Sequence, residues 1–156
     1  MERAELRKLL SVGEDEPASP TDPRLTGLVA LAARMGDSPP DHDAPEREVI
    51  SRLGDSWSPL ILIILSTGAY RHATLKRVVG ALSAEGKISQ RMLTLRLRAL
   101  ERDGFVEREV EPLVPPRVRY RLTPMGCELV EELNRLLHWI EARHDRIQAA
   151  RARFIP

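Results

Sequence analysis

Residues 88–108, ISQRMLTLRLRALERDGFVER, decide the fold. Ser89 is a good N-cap, because its hydroxyl can accept from the free N–H groups of a first helical turn. At 100° per residue, Leu93, Leu97 and Leu100 gather on one side, and Arg91, Thr94, Leu95, Arg98 and Arg102 on the other. Asp103-Gly104 ends the helix. The period then changes to two, with Val106, Arg108 and Val110 alternating with Phe105, Glu107 and Glu109, as a strand requires. The outward arginines have a bland reading, a solvated helix face, and a sharper one, a surface that fits a nucleic-acid groove. Arg96, at the edge of the buried side, is expected to hold a structural ion pair.

Working outward, a loop Pro112-Leu-Val-Pro-Pro116 leads to Arg117–Leu122, where Val118, Tyr120 and Leu122 face one way and Arg117, Arg119 and Arg121 the other. That is a β-hairpin with a long, proline-stiffened tip. Upstream, Leu75, Val78, Val79 and Leu82 mark a helix with Lys76 and Arg77 on its other side, and Ser83–Lys87 is a turn. Before it, the apolar PLILIILS fits a buried strand or a helix on periodicity alone. Pro59 at a first turn and the stop Thr67-Gly68 favour the helix. A further short helix covers Glu46–Gly54. Downstream, Thr123 and Pro124 start a helix expected to run nearly to the end. Its Leu129, Leu133, Leu136, Ile140 and Ile147 fall on a four-three spacing, widened by Leu137 and Trp139 and interrupted by Arg143. One small core cannot cover so long a stripe, so a partner chain is expected, with Leu129, Leu133, Leu136, Leu137 and Ile140 at the interface.

With 156 residues and 42% hydrophobic content, the chain can bury one core with extensions. The expected organisation is an N-terminal helical extension over 1–45, a DNA-binding domain over 46–123 and a C-terminal dimerisation helix over 124–156. Residues 1–45 carry six of the twelve prolines, in the linkers EDEPASPTDP (14–23) and GDSPPDHDAP (36–45). The helical patterns before and between them, Arg3–Leu10 and Leu25–Met35, either dock on the body or a second subunit or form a partly disordered arm. Cys127 is the single cysteine, which excludes an intramolecular disulfide framework; it is expected to be a small buried residue. The charged start MERAELRKLL and the brevity of the longest apolar run, Leu60–Leu65, point to a soluble cytoplasmic protein. Net charge is +1, but residues 71–121 hold 12 Lys+Arg against 6 Asp+Glu, leaving the remainder at −5. A basic segment inside an acidic protein suggests a polyanionic partner.

Helix, helix, turn, helix and hairpin is the order of a winged helix-turn-helix, a mainly α fold. The major groove admits one α-helix, whose outward arginines can donate two hydrogen bonds to guanine and whose apolar groups can touch a thymine methyl. Arg91, Thr94, Leu95 and Arg98 are the candidates for that face, Ser89 and Gln90 at the start of the helix are further DNA-binding candidates, and Arg102 is placed for phosphate. Arg117 and Arg119 on the wing would meet backbone or enter the adjacent minor groove, and Lys76 and Arg77 on the preceding helix would position the domain through phosphates. The alternative is a winged helix used only for protein contacts, which predicts mixed or acidic outward residues. Catalysis has no support: Asp41-His42-Asp43 lies in a proline-rich linker, and His138, Glu141 and Asp145 suit a solvated face better than a metal. No cofactor is expected.

The chain also resembles the HxlR-type family of bacterial winged-helix transcription regulators, within the MarR-like superfamily, over roughly residues 44–140. The likeness rests on Trp57 with LILIIL after it, on ISQRMLTLRLRALERDGFVER, on VPPRVRYRLTPMG (114–126) and on Trp139. It implies a homodimer paired through its terminal helices, binding an inverted-repeat operator and repressing or activating nearby genes in response to a chemical signal. Three positions depart from the family pattern. Ala44 stands where members often carry a sensing cysteine, Ser56 where a basic residue is common, and His72 where an aromatic is usual. Residues 1 to about 43 lie outside the resemblance. A small-molecule pocket near Trp57 and Trp139 is the expected ligand site.

Overall fold

The structure, a computed structural model, describes residues 3–10, 19–35, 44–114 and 116–154. Residues 14–18 and 36–43 of the proline-rich linkers, the latter including Asp41-His42-Asp43, and Pro115 lie outside the described residues. The chain divides into two compact units, Met1–Gly54 and Asp55–Pro156.

The first unit holds α1 (Arg3–Leu10), α2 (Pro23–Arg34) and α3 (Pro45–Leu53). Asp22 caps α2 by accepting from Arg24 N at 2.8 Å, and Pro23 opens the first turn, where no N–H is needed. The Arg24 guanidinium beside Asp22 holds its carboxyl below the usual carboxylate range. Leu6 and Leu25 are buried, and Arg47 donates to Met35 O at 2.7 Å, tying α3 to the end of α2.

The second unit runs α4 (Ser58–Leu65), β1 (Tyr70–Arg71), α5 (His72–Leu82), α6 (Gln90–Arg102), β2 (Val106–Glu111), β3 (Arg117–Leu122), α7 (Pro124–Glu141) and α8 (His144–Arg153). The apolar PLILIILS segment is helical, and Ile61, Leu62, Ile64 and Leu65 are buried. Asp55 sets the start of α4. Its Oδ1 accepts from Trp57 N at 2.6 Å and Ser58 N at 2.8 Å, and its Oδ2 from Ser58 Oγ at 2.5 Å. Leu75 and Val79 of α5 and Leu93, Leu97 and Leu100 of α6 are no more than 1% exposed, each stabilising the core by about 1.5–3 kcal/mol. Leu82, expected on the apolar side of α5, is instead exposed at its last position.

The sheet has three antiparallel strands in the order β1-β3-β2, so the hairpin gains an edge strand, Tyr70–Arg71, paired with Tyr120 and Arg119. A tight junction closes the hairpin's base. Gly104 takes φ +78°, and Phe105 N donates back to Leu100 O at 2.9 Å, a glycine-terminated helix end. Thr123 Oγ1 donates to Gly104 O at 2.6 Å and accepts from Gly126 N at 3.0 Å, while Thr123 N donates to Phe105 O at 3.0 Å. Here α7 meets the strand base so closely that a Cβ on Gly126 would lie 2.0 Å from Phe105 O.

Three expectations about the C-terminal region are corrected. The helix does not run through to the end: α7 stops at Glu141, and Arg143 turns back, its guanidinium 4.3 Å from the Trp139 ring and Nη1 donating to Trp139 O at 3.2 Å. Leu133 is buried within the unit along with Val130, leaving Leu136, Leu137 and Ile140 exposed and Leu129 half-buried. Cys127 is exposed, because Gly126 takes the inward position of the first turn and the next residue points about 100° away.

Candidate nucleic-acid interface

The helix α6 starts at an N-cap that works as the sequence implies. Ser89 is extended at φ −71°, ψ 153°, and its hydroxyl accepts from Met92 N at 3.1 Å. With the leucine side buried, Gln90, Arg91, Leu95 and Arg98 are exposed on the opposite side. Arg91 and Arg98 have no hydrogen bond or ion pair among the described residues, and Leu95 is half exposed. Two guanidinium groups and an apolar branch are therefore available to a partner.

Thr94 is differently placed. Its hydroxyl donates to Gln90 O at 2.9 Å and lies 3.1 Å from His72 Nε2. With the hydroxyl hydrogen used on the backbone, His72 is the donor in that contact. Thr94 thus fixes α6 against the first residue of α5. His72 also meets the Tyr120 ring edge-on at 6.3 Å, so one imidazole joins α5, α6 and the wing. Burial first, and the Lys76 charge second, push its pKa below the ordinary histidine value.

Between α5 and the start of α6 lies a depression of about 700 Å³ lined by His72, Ala73, Lys76, Arg77 and Gln90. A second, of about 470 Å³, shares Lys76 and Arg77 and adds Lys87 and Ile88. The three cations rim a surface continuous with the α6 N-terminus, where free N–H groups also favour anions. Lys87 was not among the residues expected from sequence; its place in the turn just before the N-cap was the available signal.

The wing is less basic than its second strand suggests. The register sets Glu107 opposite Arg121, Glu109 opposite Arg119 and Glu111 opposite Arg117. Arg119 pairs with Glu111 at 3.0 Å, and Arg121 with Glu107 at 2.8 Å and Glu109 at 3.3 Å. Arg119 is thereby neutralised, whereas exposed Arg117 near the tip has no ion pair among the described residues. Arg102 pairs with Asp103 at 3.3 Å. Arg96 has the expected ion pair, with Asp55 as the partner: its Nε lies 3.6 Å from Asp55 Oδ2, an electrostatic contact too long for a hydrogen bond.

Trp57 is half-buried and Trp139 is 53% exposed. A cavity beside Trp139 is lined by residues of α7, α8 and the turn between them, and Trp57 is not among them. His138, Glu141 and Asp145 do not gather, since the helix break puts Asp145 on α8; no cluster of three metal-binding side chains occurs among the described residues.

Residues 52–148 match the HxlR-like helix-turn-helix family. The chain belongs to that family of transcriptional regulators. It is 39% identical over 107 residues to the HTH-type transcriptional regulator YtfH of Escherichia coli K12, covering 69% of this chain and 80% of that protein. Among solved structures it is similar to the transcriptional regulator ytfH from Salmonella typhimurium, with 37% identity, TM-score 0.59, and coverage of 72% and 96%. It is likewise similar to the redox regulator HypR in its reduced form, with 33% identity, TM-score 0.57, and coverage of 68% and 99%. No helix among the described residues is long and apolar enough to cross a membrane.

Proposed function

We propose that this regulator is a homodimeric repressor that reads an inverted-repeat operator with α6 and is released from it by a small molecule. The observation that carries the reading is the outward face of α6, where Arg91, Leu95 and Arg98 stand exposed and unneutralised opposite a fully buried leucine face. Arg91 and Arg98 donate to base edges, and Leu95 meets a thymine methyl. Lys76, Arg77 and Lys87 hold phosphates, Ser89 and Gln90 approach the backbone at the α6 N-terminus, and Arg117 carries the wing's contact. Thr94, Arg102 and Arg119 act chiefly as supports, since each already has a protein partner.

The exposed Leu136, Leu137 and Ile140 on α7 support dimerisation through that helix. A two-fold dimer would present two α6 helices to half-sites about one turn of DNA apart, roughly 34–36 Å. A winged helix serving only protein contacts would not need two exposed arginines without ion pairs, Arg91 and Arg98, flanking an exposed leucine.

A gel-shift titration of the intact protein against its own upstream region tests this. Affinity should fall by orders of magnitude as salt rises from roughly 50 to 200 mM. Arg91→Ala and Arg98→Ala should each cost about 1–3 kcal/mol and relax preference at one base position per half-site. Absence of duplex binding at any salt would remove the reading.

A further inference from the structure

The break between α7 and α8 builds a cleft that the DNA-reading surface does not use. Its volume is about 610 Å³, within the range of small-molecule sites. Trp139 and Ile147 supply an apolar wall, completed by alanines of α8, and Arg143, Arg146 and Arg153 supply the polar lining; no acidic residue lines it. None of these arginines has an ion pair among the described residues, although Glu141 and Asp145 are close in sequence. Nor does α8 bury any residue, so its arginines serve no core. Arg143 is already oriented: it stacks on the Trp139 indole and donates one N–H to Trp139 O, leaving further guanidinium donors free.

We propose that this cleft binds an apolar carboxylate, an aromatic acid by preference, its ring against Trp139 and Ile147 and its carboxylate on the arginines. Planar guanidinium groups match a carboxylate through two parallel hydrogen bonds, and the flat apolar wall selects a ring over a bare inorganic anion. The site gives the proposed releasing molecule a chemical class, and it rests on that reading only for its consequence at the operator.

Binding is therefore measured without DNA, on the full chain, by calorimetry and by the NMR signal of the Trp139 indole N–H. The probes are 2-naphthoate, neutral 2-naphthol and inorganic phosphate. The expected result is saturable binding of 2-naphthoate that shifts the Trp139 signal, with affinity at least tenfold above naphthol and phosphate. Arg146→Gln and Arg153→Gln should each weaken it several-fold while leaving the thermal midpoint unchanged. Equal affinity for naphthoate and naphthol, phosphate binding as tight as naphthoate, an unmoved Trp139 signal, or full affinity in both variants would each overturn the proposal. Conversion of dimers to monomers by Arg146→Gln, with no naphthoate binding to the original protein, would also overturn it by making the cleft a subunit contact. The ligand-free gel shift stands apart from all these outcomes, so either reading can fail alone.

Discussion

Replacing Asp55 by alanine should destabilise the second unit by about 3 kcal/mol. The carboxylate accepts the N–H groups of Trp57 and Ser58 at the start of α4, and losing such a cap costs about 1 kcal/mol. It also accepts from the hydroxyl of Ser58, which has no exposure; a buried hydroxyl left without a partner costs about 1–3 kcal/mol. The Arg96 contact at 3.6 Å is partly solvated and adds less than about 1 kcal/mol. Urea denaturation followed by tryptophan fluorescence measures the total, and about 3 kcal/mol corresponds to a fall in Tm of roughly 12–24 °C for a domain of this size. Asp55→Asn keeps one acceptor and should lose only about 1 kcal/mol. Adding Ser58→Ala to Asp55→Ala should restore about 1 kcal/mol, because the stranded hydroxyl is gone. If Asp55→Ala lay within 0.5 kcal/mol of the original protein, or the added Ser58→Ala restored nothing, the capping account would be wrong.

Other outcomes follow from the same geometry. Gly126→Ala should cost about 2–4 kcal/mol through its collision with Phe105 O. Gly27→Ala, in the middle of α2 with open space around it, should instead gain about 0.5–1 kcal/mol; calorimetric melts of both variants check the opposite signs. His72 has a pKa lowered in the folded chain, so the unfolded chain binds the proton more readily and stability should fall as pH drops below about 6.5. The stability difference between the original protein and His72→Gln, measured from pH 7.5 downward, should show that loss in the original alone. Leu136→Glu should give monomers in sedimentation and weaker operator binding, and an intact dimer would move the interface elsewhere. Arg117→Ala should lower the salt slope of DNA binding by about one, whereas Arg119→Ala should leave it nearly unchanged because Glu111 already neutralises that side chain.

The helix α6 was legible because three burial-seeking leucines at helical spacing, a capping serine and a terminating glycine all agree on one element. The ion pair of Arg96 was legible as well, since a cation at the edge of a buried face needs a counter-charge. Its partner was not, because Asp55 lies far upstream and its capping role appears only once α4 is in place. The charge ladder on the wing depends on register: a one-residue slip would turn Glu109 away from Arg119, and sequence spacing across a long loop does not fix that register. Strand β1 is two residues long and exists only through pairing with β3. The end of α7 was hidden because the apolar spacing continues to Ile147, while the break is set by Arg143 folding back on Trp139. Among the candidate DNA contacts, the sequence separated outward from inward residues but could not separate free cations from paired ones.

The glycine junction at the base of the wing has a mechanical side. Thr123 is bonded to both Gly104 and Phe105, and Gly126 leaves no gap between the first turn of α7 and the strand. A joint with so little slack transmits torque: when the far end of α7 is tilted, the hairpin must swing with it or the hydrogen bonds of the joint must break. The lever arm is about 27 Å at 1.5 Å per residue over the 18 residues of α7. A displacement of a few ångströms near Trp139 would therefore turn the joint by several degrees, enough to alter how the wing tip meets a groove without any change in α6 itself.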